Sequence, residues 1–163
     1  MSHECIYTEG CKEDMPSRFE VGLQDYAGIL ACAETVDYLT ELCMDRIQAH
    51  IEHLNSFLIE EIINLRPKGI ELVSDHNVKE RSGICSFTYS TKIHTIEPSE
   101  VSNKFSEAGI AIRIGDLCNH EYYTQWFKRF EDFSVVIRAS LYFYNTMEEC
   151  EYFIKILKDI FKI

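Results

Sequence analysis

Apolar residues in the first half of the chain recur with a helical period. Between residues 25 and 42 they return every three or four positions, which is the spacing of one helix face. A longer stripe of the same period predicts a second helix over about residues 44–65. Arg66-Pro67 ends this helix, because proline disfavours helix in the residue before it. The apolar stripe consists of Ile47, Ile51, Leu54, Leu58, Ile62 and Leu65.

Beyond Pro67 the pattern changes to short apolar runs that alternate with helical segments. Strands are predicted at Ile70–Val73, Ile84–Tyr89, Ile110–Ile114 and Ser134–Leu141. Helices are predicted from Pro98 to Glu107, from Glu121 to Phe130, and from Thr146 onward, where Thr146 and Glu149 have the spacing of a capping box. This order predicts an α+β fold. In it, helices cover a small, mainly antiparallel sheet of three or four strands, which a long helix precedes.

The apolar side of the last helix is expected to be buried in the core. Its inward positions are Cys150, Phe153, Ile154, Leu157 and Phe161.

The composition and charge of the 163-residue chain indicate what class of protein it is and which kinds of partner are disfavoured. A hydrophobic content of 46% is that of a globular protein. The formal net charge of -11 argues against nucleic acid and anionic membrane surfaces, since both reward clustered Lys and Arg. No apolar run approaches the roughly 18 residues of a membrane span, and the polar N-terminus lacks the apolar core of a signal peptide. We therefore expect a cytoplasmic protein.

Seven cysteines are many for this length, yet they form no C-x-x-C pair. Without a secretory signal, reduced thiols are expected and not a disulfide framework. Cys118 is the sharpest candidate for a reactive thiol, because it follows the turn at Gly115-Asp116. Arg113 or His120 could favour its thiolate form. The alternative is an ordinary loop cysteine without a chemical role.

Three motifs stand in a fixed order along the chain. Residues 18–22 read R-F-E-V-G, R-x-G-x-x-C runs from Arg113 to Cys118, and R-x-S-L-x-x-Y-N-T-x-E-E runs from Arg138 to Glu149. In this order they resemble the class V, pyridoxal-phosphate-dependent aminotransferase superfamily of fold type I. The likeness is greatest to the C-terminal small domain of its cysteine desulfurase and selenocysteine lyase branch.

The resemblance implies a role for each motif. Cys118 would be the catalytic loop cysteine that takes sulfur from the substrate as a persulfide. Arg138 would grip the substrate carboxylate, which a bidentate guanidinium suits, and Arg113 would also lie on the substrate side. Gly22 would lie near the cofactor phosphate, across a dimer interface. The segment Tyr122–Phe133 is longer than in those desulfurases and rich in aromatic residues. Judged without the family, a structural salt bridge at a strand end is the favoured interpretation of Arg138.

The resemblance also divides the chain into two parts. Residues 1–43 would be a remnant of the large, cofactor-binding domain, and residues 44–163 would be the C-terminal small domain. The family forms its Schiff base on the lysine of a His-Lys pair, and none of the nine lysines here follows a histidine. We therefore expect no pyridoxal phosphate on this chain alone. Catalysis would need the missing N-terminal large domain or a partner chain that supplies it.

Two functions follow from these residues. The first is the C-terminal portion of an enzyme that acts on a small amino acid, with sulfur, selenium and amino-group transfer all open. The second is a stand-alone, non-catalytic binding or assembly module derived from the same fold. Leu23 favours the second, because the family has a threonine there that donates its hydroxyl to phosphate.

The helix of residues 25–42 is apolar on more than one face and predicts self-association. In the resembled enzymes this helix packs within the large domain, most of which would be absent. A homodimer that pairs the helix would cover it, and the alternative is that residues 1–23 fold back over it. His50 and His53 have a spacing that can bind metal, but the sequence shows no third ligand, so no metal site is predicted.

Overall fold

The computed structural model describes residues 22–73, 82–127 and 132–163. By its internal contacts the chain falls into two compact units, Met1–Met44 and Asp45–Ile163. The described part of the first unit is mainly a helix, and the second unit carries a sheet with its covering helices.

Helix α1 (Tyr26–Leu42) lies in the first unit. Its start is capped by Asp25, whose Oδ1 accepts a hydrogen bond from the Gly28 N–H at 3.0 Å. It ends at Cys43, which has a positive φ of 70° and donates its N–H to the Thr40 carbonyl at 3.0 Å. None of its residues is fully buried, and among its apolar residues Leu39 and Leu42 are half-buried.

The second unit alternates strands and helices in the predicted order. A 3-10 turn at Arg66–Lys68 joins its first helix to the sheet. The elements are α2 (Met44–Asn64), β1 (Ile70–Leu72), β2 (Ile84–Ser90), α3 (Pro98–Glu107), β3 (Arg113–Gly115), α4 (His120–Phe127), β4 (Phe133–Ser140) and α5 (Met147–Phe161). The four strands form one sheet in the order β1-β2-β4-β3, and each neighbouring pair is antiparallel. The predicted α+β class and its small antiparallel sheet are confirmed.

The register of β2 against β4 separates the two faces of the sheet. Phe87 pairs with Ile137, and both are fully buried in the hydrophobic core. The Phe87 ring meets that of Phe153 on α5, with 6.2 Å between centroids. Side chains alternate along a strand, so the intervening pair Ser86 and Arg138 belongs to the opposite face. The core therefore lies on one face of the sheet, and the candidate site lies on the other.

The apolar stripes predicted for α2 and α5 supply most of the helical side of this core. Leu54, Leu58 and Ile62 of α2 are at most 1% exposed, and each buried side chain of this size contributes about 1.5–3 kcal/mol by leaving water. Only Ile51 of the predicted α2 stripe is half-buried. All five residues predicted to be buried on α5 are buried.

Strand β3 is shorter than the apolar run Ile110–Ile114 predicts. Only Arg113–Gly115 pairs with β4. The Ile110 N–H instead donates to the Phe105 carbonyl at 2.9 Å and closes the C-terminal end of α3, next to Gly109 with its φ of 75°. Ile110 is therefore held by the helix end, and pairing with β4 begins only at Arg113.

Across the residues that the structure describes, no helix combines the length and apolarity needed to cross a bilayer.

Candidate anion-binding and thiol site

Two arginines face each other on neighbouring strands of the sheet. Arg113 on β3 is the register partner of Arg138 on β4, so the two side chains leave the same face. Like charges in directly opposite positions repel each other. The two arginines border an open cavity of about 210 Å³. It is lined by Ala111, Ile112, Arg113, Arg138 and Ser140. The register thus concentrates positive charge at the edge of the sheet.

Neither arginine has an acidic partner among the described residues. None of the ion pairs between them involves Arg113 or Arg138. Arg113 is exposed, whereas Arg138 is half-buried and its Nε is a buried donor without a hydrogen-bond partner. A buried donor without a partner is destabilising, and an unpaired guanidinium is a good partner for an anion. The structural salt bridge considered for Arg138 from sequence is not present in the described part of the chain.

A hydroxyl group lies beside Arg138, and sequence reasoning did not identify it. Ser86 on β2 is the register partner of Arg138, and Tyr123 is a half-buried residue of α4. Burial raises the pKa of Tyr123, and the Tyr122 hydroxyl acts in the same direction. The Arg138 charge and the Ser86 hydrogen bond act to lower that pKa. The Tyr123 hydroxyl therefore stays protonated at neutral pH.

The loop that carries Cys118 begins directly after β3. Leu117 and Cys118 have left-handed φ values of 52° and 62°, a conformation that costs a non-glycine residue roughly 1–3 kcal/mol. Asp116 organises this turn: its Oδ1 accepts from the Cys118 N–H at 3.3 Å, and its carbonyl accepts from the Asn119 N–H at 2.9 Å. Cys118 itself is exposed and free. The thiol is thus accessible and held in a constrained backbone.

His120, predicted as one group that could favour the Cys118 thiolate, has other partners. Its Nδ1 lies 3.4 Å from Asp116 Oδ2, and its Nε2 lies 3.4 Å from Thr124 Oγ1. Both ring nitrogens therefore face side chains other than the thiol. Arg113, five residues before Cys118 on β3, is the remaining sequence-predicted cation near the loop.

Gly22 belongs to the first unit and not to this face of the sheet. It has a φ of 80°, and the space around its missing Cβ is empty to 4 Å. Leu23 beside it is 88% exposed and carries no hydrogen-bonding group. Residues 18–21 of the same motif lie outside the described residues. The structure thus brings together Arg113, Arg138 and the Cys118 loop, whereas Gly22 stands in a separate unit.

Among the described residues, those that line the cavity beside the arginine pair include no lysine, and so no amine for a Schiff base. Lys92, Lys104 and Lys158 are paired with Asp132, Glu100 and Glu61. The donor set that the structure shows is suited to holding an anion and does not fit covalent attachment of pyridoxal phosphate.

A larger cavity, which shares Ala111, Ile112 and Ser140 with the first, has a different character. It measures about 340 Å³, and its lining includes Leu58, Cys150 and Phe153 of the core together with the α5 cap residues Asn145 and Glu149. Burial, with smaller contributions from Glu149 and Glu151, raises the pKa of Cys150 to about 11. Its thiol is therefore a packing group.

The two histidines on α2 differ in their burial. His50 is half-buried and its Nε2 lies 2.8 Å from the Asn145 carbonyl, whereas His53 is exposed.

The sequence was compared with protein families and with curated proteins. The profile of the family described as aminotransferase class-V matches residues 1–153. A probable cysteine desulfurase from Synechocystis sp. is 34% identical over 161 residues, which cover 97% of this chain and 35% of that protein. A probable cysteine desulfurase from Borreliella burgdorferi is 32% identical over 149 residues, with 91% and 33% covered. The chain thus spans about a third of the length of these curated relatives.

The chain also matches solved structures of similar fold, again over about a third of their length. The apo structure of a cysteine desulfurase from Thermococcus onnurineus matches with a TM-score of 0.73 at 24% identity, over 90% of this chain and 34% of that one. The cysteine desulfurase CsdA from Escherichia coli matches with a TM-score of 0.70 at 16% identity, over 92% and 34%. At such identities the likeness establishes the fold alone.

Proposed function

The chain belongs to the class V aminotransferase family, and from this premise we propose that it is the portion of a cysteine desulfurase-like enzyme that supplies the substrate-carboxylate arginine and the sulfur-accepting thiol. In this proposal Arg138 binds the carboxylate of a small amino acid, with Arg113 beside it, and Cys118 is the sulfur acceptor. The observation that carries it is the facing pair of arginines, which have no acidic partner among the described residues and lie at the base of an exposed cysteine loop.

The arginine pair suits a carboxylate for a simple electrostatic reason. Two guanidinium groups on one face repel each other until an anion lies between or against them, and a carboxylate can accept two parallel hydrogen bonds from one guanidinium. Arg138 offers an Nε donor that no described residue satisfies. A bound carboxylate would satisfy this donor and neutralise part of the paired charge.

The proposed chain is not an enzyme by itself. The family implies pyridoxal phosphate in the parent enzyme, which supplies the electron sink for bond cleavage at the amino acid. The described residues offer no Schiff-base amine at the site. We therefore propose that the N-terminal large domain, or a partner chain that takes its place, brings the cofactor to Cys118 and Arg138. Residues 1–43 would then be the remnant of that domain and residues 44–163 the small domain.

A second candidate is a stand-alone, non-catalytic binding or assembly module of the same fold. Leu23 favours it, because an exposed leucine replaces the hydroxyl that would donate to the cofactor phosphate, which also weakens a role for Gly22. The exposed apolar residues of α1 favour a protein partner, and we propose a homodimer through this helix. A cytoplasmic location remains a prediction from sequence.

Reconstitution separates the two candidates. The chain alone, mixed with pyridoxal phosphate, is expected to show no saturable aldimine absorbance that survives gel filtration. Co-expression with the part of the Synechocystis relative that precedes the matched segment should restore cofactor binding and sulfide release from cysteine. Cys118→Ser should abolish sulfide release, and Cys32→Ser, an exposed cysteine in α1, is the matched control.

Two results would count against the enzyme proposal. A stable aldimine on the chain alone would show that an amine of this chain does bind the cofactor. Equal sulfide release by the Cys118→Ser and Cys32→Ser complexes would remove Cys118 from the reaction. A complex that forms and binds cofactor but releases no sulfide would favour the module.

A further inference from the structure

We propose that the backbone N–H of Ser140 is a third donor of the anion site and hydrogen-bonds the carboxylate that Arg138 holds. This inference rests on the proposed function, since it adds a group to the arginine pair. Ser140 follows Arg138 by two positions on β4 and lines the same cavity of about 210 Å³. The site would then combine the arginine side chains with a donor from the main chain.

The direction of the Ser140 N–H follows from the pairing of β4 with β2. The Leu141 N–H donates to the Gly83 carbonyl at 2.6 Å, so Leu141 directs its backbone groups toward the β2 side. In an antiparallel ladder, successive residues of a strand direct their backbone groups to opposite neighbours. Ser140 therefore directs its N–H and its carbonyl to the other side, toward β3.

On that side the ladder ends before it reaches Ser140. Strand β3 pairs with β4 only over Arg113–Gly115, and Arg113 is the register partner of Arg138. Continuing this register by two residues would bring Ala111 opposite Ser140, yet Ala111 is not part of β3. Both residues line the cavity instead. The cavity is thus a notch in the sheet, and no described carbonyl accepts a hydrogen bond from the Ser140 N–H.

An unpaired backbone N–H beside two guanidinium groups suits an anion. A hydrogen bond from an N–H to a carboxylate is about twice as strong as one between neutral groups. Ser140 is exposed, so a ligand from solvent can reach this part of the strand. The notch of about 210 Å³ is several times the roughly 30 Å³ that one water occupies, which leaves room for a carboxylate.

The two kinds of donor complement each other in direction and in rigidity. The Arg138 side chain leaves the face of the sheet, whereas the Ser140 N–H lies in the plane of the ladder. A carboxylate has two oxygens, so one can accept from Arg138 while the other accepts from Ser140. Pairing with β2 extends to Ser140 and holds this part of β4 in place. Binding therefore does not have to order the N–H, which reduces the entropic cost of the contact.

The test is a titration of the full 163-residue chain with acetate and with L-alanine, followed by NMR at the backbone amide and arginine Nε–H signals. The Arg138 signal is identified by its loss in Arg138→Lys. Ser140→Pro and Ser140→Ala form a matched pair, because both remove the hydroxyl and only proline removes the N–H. Proline is tolerated where the N–H of a strand is not used by the ladder. Amide spectra of each variant establish that it is folded.

We expect carboxylates to move the Ser140 amide signal downfield together with the Arg138 signal and with the same Kd. The amide of Leu141, which already donates to Gly83, should stay in place. Ser140→Ala should bind as the unaltered chain does. Ser140→Pro should weaken binding about tenfold, which is the loss of one hydrogen bond to a charged group.

A Ser140 amide signal that stays in place while the Arg138 signal moves would overturn the role of Ser140 and leave that of Arg138 standing. Equal losses in Ser140→Ala and Ser140→Pro would also overturn it, since they assign the effect to the hydroxyl. Should Ser140→Pro not fold, the amide titration of the unaltered chain decides. If neither signal moves in the unaltered chain, the anion site of the proposed function is itself wrong.

Discussion

Cys118 and Cys150 are both free thiols, and their surroundings give them opposite chemical character. Cys118 is exposed on a constrained loop, whereas Cys150 is 2% exposed among core side chains. Burial raises the Cys150 pKa from 9.0 to about 11. At neutral pH its thiolate fraction is therefore about a hundredfold below that of an ordinary thiol, by the definition of the pKa. Thiolate is the form that attacks electrophiles and accepts sulfur.

We predict that iodoacetamide at neutral pH modifies Cys118 and leaves Cys150 unmodified until the protein unfolds. Peptide mass spectrometry at successive times gives the two rates. Cys32 is also exposed and serves as the reference for an accessible thiol, and Cys85, which is buried, should behave as Cys150 does. Labelling of Cys150 in the native protein at the rate of Cys118 would contradict this.

Residue identity alone predicted some members of the site and not others. Arg113, Cys118 and Arg138 stand in motifs that a reader of the sequence can recognise. Ser86 gives no such signal, because its place beside Arg138 depends on the pairing of β2 with β4, which are distant in the sequence.

At the scale of the element, the N-terminus of α5 has a complete capping box. Thr146 Oγ1 accepts from the Glu149 N–H at 3.2 Å, and Glu149 Oε2 accepts from the Thr146 N–H at 3.0 Å. This confirms the capping box predicted from the spacing of the two residues. Asn145 adds to it by donating to Glu149 Oε2 at 3.0 Å and accepting from the Tyr142 N–H at 2.8 Å. The cap thereby ties α5 to the end of β4, which carries Arg138.

Thr146→Ala should lower the free energy of unfolding by about 1 kcal/mol, the usual loss for an N-cap hydroxyl. Urea unfolding followed by circular dichroism measures it. Ser102→Ala, an exposed serine within α3, is the control and should change stability by no more than about 0.5 kcal/mol. A loss for Thr146→Ala no larger than that of the control would show that the cap contributes nothing measurable.

Element boundaries followed the sequence wherever a local signal existed. Pro98 and Glu107 bound α3 as predicted, and α2 ends one residue before the predicted Leu65. The run Ile110–Ile114 predicted a strand over its whole length, whereas the observed strand is the shorter Arg113–Gly115. Its apolar alternation carries no information on the hydrogen bond by which Ile110 closes α3. Helix capping decided the boundary there, and the hydrophobic period could not show it.

At the scale of the whole molecule, α1 carries exposed apolar side chains that could form an interface with another chain. Five of its large apolar side chains are more than half exposed, namely Tyr26, Ile29, Leu30, Val36 and Tyr38. Burying apolar surface stabilises an interface by about 25 cal/mol per Å², and contiguous exposed patches are uncommon on monomers.

We predict that the chain self-associates through α1 and that Leu30→Glu weakens the association, because it places a charge in the apolar contact. Light scattering at several micromolar concentrations should give a mass above the 19.0 kDa of one chain. Thr35→Glu adds the same charge at an exposed polar position of the helix and should leave the mass unchanged. A mass of 19.0 kDa at every concentration would contradict the homodimer.

The sequence by itself determined the fold class and the family. Periods of 3.6 and 2 reflect which side chains each element must bury, and they are local properties. The motifs around Cys118 and Arg138 likewise lie within short segments. What only the tertiary structure decided is which groups meet. The facing of Arg113 and Arg138 and the pairing of Ser86 with Arg138 depend on strand register. A register shift of one residue would turn the side chains of the shifted strand to the other face, and no local pattern at the site specifies the register.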